Sequence, residues 1–218
     1  MQVYARVEWL RYDEGRLDEV AGRIVDVLER GGVVAIPTDT CYGLAANAVD
    51  ERAVAKVFRV KSRPLSKPVS IFVDSIERIR ELFVVDELSE RSLRLLPGRV
   101  TLILRLREGI SFPEGVMARD RKVGVRLSPH PLPGLVVRAF GKPITATSAN
   151  RSGAPPLYDA HEVARELPAI DLIVDAGSLP RRPVSTVIDL TCTPPRVLRE
   201  GAVPLHRIAR VLGLEVQH

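Results

Sequence analysis

The chain has 218 residues, of which 45% are hydrophobic and 27% charged. That is globular composition and excludes a disordered chain; no run of about 18 apolar residues is present to span a membrane. Basic residues outnumber acidic ones, 32 to 27, and 27 of the 32 are arginine. Such a surface favours polyanions, either nucleotides or RNA, although a GC-rich genome rich in Arg codons leaves the same signature.

Cys41 and Cys192 are the only cysteines, too few for a disulfide framework or a cysteine zinc site. The N-terminus, Met1-Gln2-Val3-Tyr4-Ala5-Arg6, lacks the basic-then-apolar layout of a signal peptide. The expectation is a soluble, reduced, cytoplasmic protein.

In chain order, Arg16 to Arg30 carries Leu17, Val20, Ile24, Val27 and Leu28 at helical spacing, and Gly31-Gly32 stops it. Val33 to Ile36 reads as a buried strand, and Thr38 to Leu44 as a polar loop leaving it. Asp50 can cap a second helix that ends before Pro64. Val69 to Val73 predicts a strand, and Ile76 to Leu96 a helical stretch broken near Val84-Val85. Val100 to Leu104 and Val123 to Leu127 follow as strands, Leu135 to Phe140 as a helix and Pro143 to Thr147 as a strand. A helix near Ala160 to Leu167, strands Leu172 to Asp175 and Thr186 to Leu190, and a last helix from Pro204 to Val211 complete the pattern. There is no repeat and no linker, so the expected architecture is a single α/β domain over residues 1–218.

Familiar motifs are absent. No P-loop, Rossmann fingerprint or G-x-S-x-G elbow occurs. His130, His161, His206 and His218 lack ligand spacing, so no metal site is expected. The positive signals are polar loops after strands, which in open α/β sheets converge on ligands beyond the strand ends. Lys61 to Pro68 holds three cations stiffened by two prolines, and an Arg fork beside a Lys charge suits a triphosphate. A solvated basic loop would read the same way. Thr145 to Asn150 places three hydroxyls and an amide where a core strand would prefer Val or Ile; a plain Ser/Thr/Asn turn is the alternative.

Seven segments together resemble the YrdC-like family. They are Gly32 to Leu44, Lys61-Ser62-Arg63-Pro64 (its K-x-R motif), Pro97 to Leu104, Val123 to Arg126, Ser148-Ala149-Asn150 (its S-x-N motif), Ser185 to Asp189, and Leu198 to Gly201. The resemblance runs from Leu17 to Gly213. It implies a twisted, open, mixed β-sheet flanked by helices around a basic concave cleft. It also implies an enzyme, a nucleotidyltransferase that joins L-threonine, bicarbonate and ATP into threonylcarbamoyl-adenylate and releases pyrophosphate. A partner transferase would then carry the threonylcarbamoyl group to adenosine 37 of tRNA. On this resemblance Lys61, Arg63, Lys122, Ser148, Asn150 and Arg199 fall on ATP, with Lys61 and Arg63 central to catalysis. Thr38, Arg126 and Ser185 fall on threonine, Arg126 meeting its carboxylate. Mg²⁺ would arrive with ATP, and no organic cofactor is implied.

Two departures stand out. The family's longer branch carries a second domain after a linker, and no second domain is expected within these 218 residues. That branch also tends to place a histidine where Phe72 stands. A rival from another class is a non-catalytic binder of double-stranded RNA or tRNA by shape and phosphate contacts. Nine Phe and Tyr side chains besides Trp9 form no interleaved basic-aromatic motif, which disfavours single-strand stacking. A carbamoyl-transfer module like those of hydrogenase maturation proteins would need cysteine and histidine motifs missing here.

Overall fold

The computed structural model describes residues 7–118 and 120–214; the N-terminal segment Met1–Arg6 and His218 lie outside them. In order the elements are β1 (Glu8–Arg11), α1 (Leu17–Glu29), β2 (Val34–Ile36), β3 (Gly43–Ala45), α2 (Glu51–Lys61), β4 (Ser70–Phe72), α3 (Ile76–Leu82) and α4 (Glu87–Ser92). There follow β5 (Val100–Arg105), β6 (Lys122–Arg126), α5 (Pro131–Phe140), β7 (Ile144–Ser148), α6 (Ala160–Glu166), β8 (Leu172–Asp175), β9 (Thr186–Asp189), β10 (Arg196–Arg199) and α7 (Leu205–Leu212). The strands form one open mixed sheet, ordered β1-β8-β2-β3-β7-β4-β6-β5-β9-β10. β1, β8 and β2 run parallel, as do the pairs β4/β6 and β5/β9. No helix among the described residues is long and apolar enough to cross a membrane.

Local signals explain most elements. Val20, Ala21, Ile24, Val27 and Leu28 form the buried stripe of α1, and Gly31 follows it at a φ of 72° that a side chain would resist. Asp50 accepts from the Arg52 amide and caps α2, as its position predicts. The stretch after Ile76 breaks at Phe83, which bridges to Leu106.

Three strands depart from the pattern read in the sequence. Gly43–Ala45 is not part of a loop but β3, antiparallel to β2, so the polar residues before it form the turn of a hairpin. Gly and Ala carry little strand propensity, which hid it. β1 and β10 are edge strands with mostly exposed side chains and no clean alternation. Helix α5 begins four residues before Leu135, because His130 caps it and Pro131 occupies the first turn, where proline's missing N–H costs nothing.

Helices cover the sheet unequally. On one face α1 and α5 bury Ile24, Leu28, Leu132 and Val136 against Val34, Ile36, Leu172, Ile144 and Phe72. On the other, α2 and α6 pack Val57 and Val163 on Ala35, Leu44 and Ile173. The same face continues under α3 and α7, where Ile79, Ile208 and Leu212 meet Ile71, Leu102, Val125 and Ile188. Side chains alternate along strands, so Ser70, Thr101, Gly124 and Ser185 stand on the face that α1 and α5 leave bare over β6, β5 and β9. A cleft opens there.

One buried hydroxyl ties the far wall of that cleft together. Thr186 Oγ1 donates to the Val203 carbonyl (2.7 Å) and accepts from the amides of Gly201 and Val203 (3.0 Å each). Thr186→Val keeps the shape and strands three backbone groups, so it should cost about 2–4 kcal/mol. Urea denaturation of the variant against wild type measures this.

Candidate active site

The cleft has a volume of about 670 Å³ and lies over the sheet face. This corrects the expectation that ligand loops meet beyond the strand ends. Its floor is built by alternate residues of successive strands: Ser70 and Phe72 on β4, Lys122, Gly124 and Arg126 on β6, Thr101 and Ile103 on β5, and Ser185 on the approach to β9. Small and polar side chains at every second position were the available sequence signal. A Cβ on Gly124 would stand 2.5 Å from Ser70 Oγ, so glycine keeps the floor low.

Of the nine residues singled out in the sequence, Thr38, Arg63, Lys122, Arg126, Ser148, Ser185 and Arg199 line the cleft. Lys61 and Asn150 are not in its lining. Lys61 is fully buried, and its ammonium donates to the carbonyls of Ser148 and Asn150 and to Asn150 Oδ1. Asn150 Oδ1 also accepts from the Ser148 hydroxyl, while its Nδ2 donates to the Ala154 carbonyl. Lys61 therefore pins the S-x-N loop from behind. Burial, reinforced by the Arg63 charge, pulls its ammonium down to about 7.

Arg63 folds onto its own loop, donating from Nε to the Lys67 carbonyl (2.6 Å) and from Nη2 to the Pro68 carbonyl (3.1 Å). Arg199 reaches across to Ser185, whose carbonyl accepts from Nε and Nη2 and whose hydroxyl accepts from Nη2. This joins one residue assigned to ATP with one assigned to threonine. Burial and then the Arg199 charge lower the Arg63 pKa; burial and then the Arg126 charge lower that of Arg199. Lys122 pairs with Asp120 at 2.7 Å and with Asp189 at 3.7 Å.

Arg126 is clamped from below by a residue the sequence reading passed over. Asp39, almost wholly buried, accepts from Arg126 Nη2 through both oxygens (3.0 and 2.9 Å) and from the Ser128 hydroxyl. The Arg126 guanidinium carbon also stands 5.1 Å from the centre of the Phe72 ring, a cation–π contact. Phe72 thus braces Arg126 at the position where the longer branch tends to carry histidine. Arg126 Nε is buried without a partner, an unmet donor beside the cleft.

The hydroxyls divide between scaffold and site. Thr145 bonds the Ala46 amide and the Leu44 carbonyl, which explains a polar residue in that core strand. Thr38 donates to the Cys41 carbonyl and shapes the hairpin turn while facing the cleft. Cys41 also lines the cleft, but burial pushes its thiol up, so it offers no thiolate nucleophile near neutrality.

Sheet, cleft and motifs define a YrdC-type α/β protein. The profile of the Sua5/YciO/YrdC family, described as "Telomere recombination", matches residues 26–201, and the chain belongs to that family. It is 37% identical over 206 residues to the threonylcarbamoyl-AMP synthase of Pyrococcus abyssi, covering 93% of this chain and 59% of that protein. The Bacillus subtilis threonylcarbamoyl-AMP synthase is 36% identical over 190 residues, covering 86% and 55%. The chain thus spans somewhat over half the length of these two relatives. The crystal structure of P. abyssi Sua5 complexed with L-threonine superposes with a TM-score of 0.85 at 36% identity, covering 98% of this chain and 63% of that one.

The Lys61 environment makes a measurable prediction. Burial lowers the proton affinity of Lys61 towards neutrality, and a polyphosphate in the cleft would raise it again. Binding should therefore take up protons, seen in calorimetry as a heat that varies with the buffer's ionisation enthalpy. Lys61→Met should remove the Lys61 share of that uptake, shifting the net proton change towards release from the polyphosphate.

Proposed function

We propose that this protein is a threonylcarbamoyl-AMP synthase, making threonylcarbamoyl-adenylate and pyrophosphate from L-threonine, bicarbonate and ATP. The observation that carries the reading is one cleft with two kinds of cationic subsite. Arg63 and Arg199 stand around it held by uncharged oxygens that leave their charge in place, with Lys122 beside Asp189, while Arg126 is fixed in its floor by Asp39 and Phe72. Lys122 and Arg126 lie four residues apart on the same strand face, about 13 Å, room for a nucleotide and an amino acid side by side. The relatives' activity and the threonine bound to P. abyssi Sua5 support the same assignment.

In this scheme Arg126 takes the threonine carboxylate through the donors that Asp39 leaves free. The threonine amine and bicarbonate condense to a carbamate with loss of water. A carbamate oxygen attacks the α-phosphorus of ATP, and pyrophosphate departs with the bridging electron pair. Arg63, Arg199 and Lys122 neutralise the phosphates, while Lys61 and Asn150 hold the Ser148 loop that borders them. Positioning and charge stabilisation suffice, and no side-chain nucleophile is needed. Mg²⁺ would enter on the triphosphate; the cleft lining offers one carboxylate, Asp189, already engaged by Thr191 and Lys122. The adenylate would then serve a transferase that modifies adenosine 37 of tRNA.

Pyrophosphate release from ATP, with threonine and bicarbonate omitted in turn, tests the reaction. Release should require both; release indifferent to both would overturn the synthase, and no release under any condition would favour the RNA-binding rival. Arg126→Lys separates the subsites. Replacing Arg126 by Ala would leave Asp39 buried and unpaired, at about 3–5 kcal/mol, whereas Lys keeps the charge and loses the planar fork. Threonine KM should rise about tenfold or more with ATP KM nearly unchanged. A rise confined to ATP would refute this division of the cleft.

A further inference from the structure

Three parallel strands, β1, β8 and β2, end side by side, and a second cavity of about 810 Å³ opens beyond their carboxyl ends. Arg11 ends β1 and Tyr12 follows it, Ala176 and Ser178 follow β8, and Thr38 and Asp39 follow β2. This is where open α/β sheets place ligands, and it is separate from the cleft over the sheet face. Thr38 borders both cavities, so the hairpin turn is the wall between them.

The chemistry of this crevice is that of an oxyanion site. Arg11, Arg99 and Arg182 line it, and none of the three is in an ion pair among the described residues. Arg99 is half-buried and oriented through Nε, which donates to the Asp39 carbonyl at 3.1 Å. That bond fixes the guanidinium without cancelling its charge. The one fully buried acid here, Asp39, is already matched by Arg126. Tyr12 and His130, with ring centres 5.7 Å apart, and the flanking prolines 129, 131 and 180 supply an apolar wall. Asp13 and Glu14 stand on the same rim and would repel a long polyanion, so the site fits a small ligand rather than a nucleic-acid backbone.

We propose that this crevice is a second anion site that takes a single phosphoryl group, free or on a small nucleotide, independently of the catalytic cleft. The site stands on its own geometry and does not depend on which reaction the cleft performs.

Phosphorus NMR titrations of the intact protein test it, with inorganic phosphate, pyrophosphate and AMP as probes. Two binding events are expected for phosphate. The double variant Arg11→Ala/Arg182→Ala, both at exposed positions, should weaken one of them about tenfold or more and leave the other in place. Arg63→Ala should do the reverse. Thermal melts of each variant confirm that the fold is retained, and Arg99→Ala provides a second route to the same loss. Tighter binding of AMP than of phosphate at the crevice assigns the site to nucleotides, and equal binding assigns it to free phosphate; both support it. A single event that Arg63→Ala removes and Arg11→Ala/Arg182→Ala leaves untouched would overturn the proposal. Two events insensitive to the crevice variants would overturn it as well.

Discussion

Four cations in and around the two cavities, Lys61, Arg63, Arg99 and Arg199, are held in place by neutral oxygens. Lys61 donates to the carbonyls of Ser148 and Asn150, Arg63 to those of Lys67 and Pro68, Arg199 to that of Ser185 and Arg99 to that of Asp39. A carbonyl orients a charged donor without neutralising it, whereas a carboxylate does both. Among the described residues, five cationic side chains line the cleft, Arg63, Lys67, Lys122, Arg126 and Arg199, against one carboxylate, Asp189. Burial, and after it the charge of a neighbouring arginine, lowers the proton affinity of Arg63 and Arg199. Fold energy supplied elsewhere, by the three apolar clusters around the sheet, holds this unfavourable arrangement together.

Arg126 differs from Arg63 and Arg199, and the contrast assigns it a different task. It alone among the cleft cations has a buried carboxylate partner, and it alone lies over an aromatic ring. Its charge is compensated and its geometry fixed, which suits recognition of one shape. Arg63 and Arg199 are oriented by uncharged oxygens and keep their charge, which suits a ligand of high negative charge. Both kinds rest on the bare sheet face, where small residues such as Ser70 and Gly124 give a ligand room to approach the backbone.

Much of this was legible in the sequence, for physical reasons. Helix α1 and the core strands carry periodicity that only their observed burial satisfies. The K-x-R and S-x-N segments do meet, although the structure shows Lys61 and Asn150 bonding to each other behind the cleft. What could not be read was distance across the sheet. Asp39 looked like one polar residue in a loop, because its partner Arg126 lies 87 positions away. Strand β3 was hidden by Gly43 and Ala45, so the hairpin that separates the two cavities read as a single loop. The cleft was placed at strand ends because the alternation of small residues on β4, β6 and β5 becomes visible only once these strands are known to be neighbours.

On the proposed function, nucleotide affinity in the cleft rests on cations that no carboxylate compensates, Arg63 and Arg199. Calorimetric titration with ATP and with adenosine, under identical salt, measures it directly. Several charge-assisted hydrogen bonds at about 1.5–3 kcal/mol each predict that adenosine binds at least about 100-fold more weakly than ATP. Adenosine binding within about tenfold of ATP would contradict the account.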